Sequence, residues 1–236
     1  MAGKEDSINL QFSNYRQEGL YLHFEDSSRL VLTKEVIEQT AEKFWQDPTK
    51  IPPDIKEADE FQKCSICPGR RQTGLCSALR PVLPFLEHVD KYASFDKVTA
   101  VYRVKGQEVL NVAATTMQIA LSYVALLSLM HYCLNGREYW RYYFGVVPLS
   151  GAETVVARVY LNIYWLHKGN KEEIDKVISQ FQEELMLTTT NQVKRLSLIC
   201  KNDAFINAFV NAQMTTKFLS MDIDSILKDH VKTQSL

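Results

Sequence analysis

Residues 63–86 read KCSICPGRRQTGLCSALRPVLPFL, and three of the five cysteines in the chain fall inside this stretch. Cys64 and Cys67 have the Cys-x2-Cys spacing that lets two thiolates on a tight turn converge on one tetrahedral ion, and Cys76 follows on a loop containing Gly69 and Gly74. A structural zinc site is closed by four such ligands, whereas a catalytic one keeps three and a water. The loop supplies three and runs directly into an apolar segment, so the set is closed by a fourth ligand from elsewhere in the chain or stays open.

His88 is the nearest candidate, but if the segment after Cys76 is one continuous helix, twelve residues carry it about 18 Å along the axis. His131 and Cys133 stand at the end of an uncharged helix that the fold can return to the loop, and Cys200 lies on an apolar stripe. The alternatives are a redox pair at Cys64 and Cys67, with Cys133 and Cys200 as packing residues.

The surrounding composition sets the compartment in which these thiols act. The chain has 236 residues, 46% of them hydrophobic, which allows a sizeable core without disulfide staples. Its 27 basic and 28 acidic residues leave a net charge of -1, so no global field draws it to nucleic acid or anionic lipid, and neither is expected as a partner. The opening MAGKEDSINLQF lacks the basic and apolar regions of a secretory signal, which points to a cytoplasmic protein with reduced thiols. Residues 119–130, IALSYVALLSLM, are nearly all apolar, yet the run is shorter than the roughly 18–20 residues of a bilayer span. A central buried helix over about 115–134 is expected instead, stopped by Asn135-Gly136 in the left-handed conformation.

Outward from this pair of features, the fold class reads as α+β. Residues 8–33 predict three antiparallel strands, and Thr33 then caps a helix ending at Asp47-Pro48. Residues 47–60 carry three prolines and many charges, predicting an extended, solvated connector. Leu79, Val82, Leu83, Leu86, Val89 and Tyr92 follow a helical period, with Ser77 as N-cap. Lys105-Gly106 predicts a hairpin between 97–104 and 107–113. From 150 onward every signal is helical: Ser150 with Glu153 and Asn170 with Glu173 give capping patterns, Asp203 opens another helix, and an amphipathic piece follows at 223–231. The expected organisation is an α+β domain over 1–149 and a helical region over 150–236.

The run from Cys64 to Val98 resembles a bacterial domain family of unknown function whose Cys-Pro-x-Cys-Pro loop is followed by a third cysteine, an apolar helix, a strand pair and a long helix ending near a fourth cysteine. The likeness spans about residues 8–170. Ser65 stands where the family has its first proline, and Pro68 is kept. The resemblance implies that the metal ligands are Cys64, Cys67, Cys76 and Cys133. It implies no chemistry.

Both zinc and an iron-sulfur cluster use four cysteines; the spacing differs from ferredoxin runs, so zinc is expected and a cluster is the alternative. Arg70, Arg71, Arg80, Arg137 and Arg141, near Tyr139, Trp140, Tyr142 and Tyr143, would make a basic aromatic patch if the site assembles, although such mixtures are more often a solvated surface. No phosphate loop, dinucleotide fingerprint, nucleophile elbow or His-Glu-x-x-His motif occurs. The sequence therefore predicts a non-enzymatic metal-binding module whose C-terminal helices bind a protein partner or a second copy. A redox or metal sensor and a zinc enzyme with an open coordination position are the alternatives.

Overall fold

A computed structural model describes residues 11–61, 63–69, 75–85, 91–106 and 108–219. Its α+β architecture is a four-stranded antiparallel sheet followed by helices. The strands are β1 (Gly19–His23), β2 (Arg29–Thr33), β3 (Lys97–Arg103) and β4 (Leu110–Thr116), in the spatial order β2-β1-β3-β4. Of the three strands expected before residue 34, two form. Phe12–Asn14 is a 3-10 turn, and residues 8–10 lie outside the described residues. The predicted hairpin forms, with Gly106 at φ +67° in its turn, a conformation that favours glycine.

Alternation along the strands divides the sheet into two faces. Leu20, Leu22, Leu32, Val98, Ala100 and Tyr102 point into the main core. Tyr21 and Val101 point the other way and are covered by Tyr15, over which the Arg29 guanidinium lies.

Helix α1 (Lys34–Gln46) starts as expected, with Thr33 Oγ1 accepting from the Val36 amide at 3.3 Å. The expected extended connector after it contains helix α2 (Pro53–Glu60), which buries Ile55, Ala58 and Asp59. Pro53 occupies the first helical position, where a missing N–H removes no bond, so proline starts this helix instead of forbidding it. The expected continuous helix after Cys76 is replaced by 3-10 turns at Ser77–Leu79 and Leu83–Phe85, and residues 86–90 lie outside the described residues. Pro81 and Pro84 each lack the amide needed to carry the ladder past them.

The uncharged run forms helix α3 (Met117–Leu126), whose Ala120, Leu121, Val124 and Ala125 are fully buried. It continues as a π-helical turn, Leu127–Tyr132. Among the described residues no single helix is long and apolar enough to cross a membrane.

Gly136 does not adopt the left-handed conformation expected of it. It opens a 3-10 segment, Gly136–Tyr143, and a Cβ there would lie 1.7 Å from the Leu129 carbonyl oxygen, so the position requires glycine for close backbone approach.

Helices α4 (Ala152–Leu166), α5 (Lys171–Ile199) and α6 (Ala204–Phe218) complete the core. Ser150 makes no side-chain cap for α4, whose N-cap is Gly151. Asn170 caps α5 through the Glu173 amide. The predicted amphipathic piece at 223–231 lies outside the described residues. Phe205 of α6 meets Phe85 edge to face, and the main core runs from Leu20 to Leu219, drawing on both sides of residue 150.

Candidate functional site

Two hydroxyls pin the segment after Cys76 to the helix end before Cys133. Ser77 Oγ donates to the Tyr132 carbonyl at 2.7 Å, and the buried Ser128 Oγ donates to the Ala78 carbonyl at 2.6 Å. The π-turn closes with the Cys133 amide donating to the Ser128 carbonyl at 2.9 Å. On the other side, Cys64 and Cys67 share a turn closed by the Cys67 amide on the Cys64 carbonyl at 3.2 Å.

These connections bring the four predicted cysteines into one neighbourhood. Cys64 lies within electrostatic reach of Cys67 and Cys76, and Cys133 within reach of Cys76 and Cys64. Cys64 and Cys133 are buried, while Cys67 and Cys76 are partly exposed. Among the described residues, no three His, Cys, Asp or Glu side chains are already arranged as a metal-ligand group.

The two other candidates for a fourth ligand go elsewhere. The His131 ring packs edge-on against Tyr132 and Trp140, at 5.1 and 5.2 Å between centroids. Cys200 is buried within the main core. His88 lies outside the described residues.

Around the thiols stands a shell of donors that sequence reasoning missed. The Asn135 and Gly136 amides donate toward the Cys133 sulfur, and the Asn191 side chain bonds Cys64. Gln192 Nε2 donates to Cys76 Sγ at 3.6 Å. Arg195, 2% exposed, donates from Nε to the Phe61 carbonyl at 2.9 Å and exerts its charge on both Cys64 and Asp59. Asp59 accepts from the Cys76 amide, tying α2 to the loop.

Burial pushes the Cys133 thiol up to about 11, and the Gly136 and Asn135 amides oppose that shift. Burial also raises Cys64, against the Asn191 bond and the Arg195 charge. Burial raises the Asp59 carboxyl as well. The opposing donors all favour the anionic form of sulfur.

A signal for this shell was present in the sequence. Thr188, Thr189, Asn191, Gln192 and Arg195 break the apolar stripe of α5, and every one of them is buried. Polar side chains on the inward face of a helix mark a place where something polar must be met.

The basic aromatic patch does not assemble as a single surface from the residues described. Arg80 pairs with Glu38 at 2.9 Å, Tyr139, Tyr142 and Tyr143 are buried, and Arg70 and Arg71 lie outside the described residues. Arg141 stacks over Tyr142. His23 and His167 occupy a strand end and a helix end, each hydrogen-bonded to a tyrosine hydroxyl at 3.1 Å. No protein-family model, curated protein or solved structure matches the chain.

Proposed function

We propose that Cys64, Cys67, Cys76 and Cys133 hold one structural zinc ion in a non-enzymatic module, where the ion fastens the loop before the 3-10 turns to the end of the central helix. The observation that carries this reading is the polar surrounding of the thiols: Gln192 Nε2 donates to Cys76 Sγ at 3.6 Å, and the Asn135 and Gly136 amides and the Asn191 side chain favour the anionic sulfurs of Cys133 and Cys64. Buried neutral thiols have little need of so many donors, whereas thiolates on a metal accept them and are oriented by them. The donor set therefore fits zinc. Binding would displace the thiol protons and draw the sulfurs inward, coupling metal affinity to folding and to pH.

The partner-binding role belongs to α4. The inward faces of α5 and α6 are committed to the thiol shell and the core, but Leu161, Trp165 and Leu166 on the outer face of α4 remain exposed. That face is the place for a protein partner or a second copy of the chain.

Elemental analysis of the purified protein is the deciding experiment. About one zinc per chain is expected, with Cys133→Ser losing the metal and lowering the thermal midpoint by about 10 °C or more. Iron with visible-range absorbance would move the reading to a cluster. Zinc retained by Cys133→Ser would indicate an open three-cysteine site, and metal-free protein indifferent to chelator would overturn the reading altogether. Light scattering at high concentration tests the self-association arm.

A further inference from the structure

A second site lies beside the π-turn, at the end of the sheet where β1 begins and β2 and β3 finish. A cavity of about 440 Å³ opens there, within the size range of small-molecule pockets. Its wall combines the ends of these strands, the first turn of α1, the flank of α3 and the 3-10 segment Gly136–Tyr143 with the loop after it.

Charge and aromatic surface converge on this cavity. Lys34, Lys105 and Arg141 line it, and all are solvent-accessible; among the described residues, none of the three forms a salt bridge. The one carboxylate in the lining, Glu18, is engaged by the Tyr102 hydroxyl at 3.2 Å, and Tyr102 in turn accepts from the Tyr123 hydroxyl at 3.1 Å. Lys34 occupies the first position of α1, where the amide dipoles favour negative charge, so side chain and helix end act in the same direction. Cations left without carboxylate partners around a concave site attract an anion from solution.

The aromatic component is equally placed. Trp140, 38% exposed, lies parallel to Tyr143, with an interplanar angle of 8°, and Phe144 at the rim is 82% exposed. Exposed aromatic faces at the mouth of a cavity offer a stacking surface for a planar ring, and the Arg141 guanidinium matches the planar geometry of a carboxylate or phosphate.

We propose that this cavity binds a small planar aromatic molecule carrying one anionic group, the ring stacked on Trp140 and Phe144 and the anion held by Lys34, Lys105 and Arg141. A mononucleotide and an aryl carboxylate share this chemistry. The site stands apart from the cysteines and does not depend on their holding a metal.

The test uses the full chain carrying Trp45→Phe and Trp165→Phe, so that fluorescence reports Trp140 alone, together with calorimetry on the unaltered protein. The probes are adenosine 5′-monophosphate, phenylacetate, adenosine and inorganic phosphate. The expected result is that at least one of the two ring-plus-anion probes binds tenfold or more tighter than both adenosine and phosphate, and that which one does so names the anion. Arg141→Ala and the double variant Lys34→Ala/Lys105→Ala should each weaken that probe at least tenfold, and added salt should weaken it further. These side chains are exposed, and unchanged circular dichroism would show that the variants fold. The proposal is overturned if neither probe exceeds adenosine and phosphate, or if the charge variants fold and bind as the parent does.

Discussion

At the scale of single residues, the side chain of Arg195 ties together segments far apart in the chain. It is nearly fully buried on α5, holds the Phe61 carbonyl at the end of α2, and sets its charge beside Asp59 and Cys64. A buried guanidinium is retained only with its polar partners around it, and removing one side strands the other. Arg195→Leu is expected to destabilise the protein by about 3 kcal/mol. Urea unfolding measures this, and a loss under about 1 kcal/mol would contradict it. Arg195→Lys should recover only part, because an ammonium lacks the guanidinium fork. The sequence announced Cys64, Cys67 and Cys76 through their own chemistry and spacing, while Cys133 joined them only through the family resemblance. It did not announce Asp59 as a member of the same site, since a carboxylate in a charged run looks like a solvated residue until the chain is folded, and it marked Arg195 only as one of the polar breaks in the α5 stripe without saying what that residue meets.

At the scale of elements, legibility followed how local the deciding interaction is. Thr33 and Asn170 were readable as caps because each bonds an amide three residues on. The segment after Cys76 reads as a helix by period alone, but its prolines break the ladder into short turns, and α2 was hidden by charges that, Asp59 apart, lie on its outer face. Asp203 shows an element held by a distant partner. Its carboxylate accepts from the Ser94 amide at 2.9 Å and from Asn207 Nδ2 at 3.0 Å, joining the start of α6 to the turn before β3. These bonds lower the Asp203 carboxyl below its ordinary range. A depressed folded-state value means that the stabilisation is present above the unfolded-state value and is lost as pH falls through the folded one. Asp203→Asn should therefore be less stable than the parent at pH 7, with the gap closing below about pH 4. Thermal melts across pH 3–8 on both proteins check this, and a gap that stays constant would reject it.

At the scale of the whole molecule, the α+β class and the order of strands then helices could be read from periodicity, while the way the two halves share a core could not. Ile178, Phe181, Leu185, Phe205 and Phe209 belong to the same cluster as the inner face of the sheet. A chain ending at residue 170 would leave the face of α3 that meets α6 without its cover, and is expected to be insoluble or to lose native near-ultraviolet circular dichroism. A well-dispersed amide NMR spectrum from that fragment would show the first 170 residues to be self-sufficient. The π-turn at Leu127–Tyr132 also sets the phase of the chain. Continued as an ordinary α-helix, each residue would advance by about 100° around the axis. The wider turn retards that rotation residue by residue, so by Cys133 the accumulated lag is on the order of a quarter turn. His131 and Cys133, two positions apart at the end of this turn, face different surroundings, one toward the aromatic cavity and one toward the other cysteines. The irregularity works as an angular offset, resetting which way the end of the central helix presents both side chains to the two sites beside it.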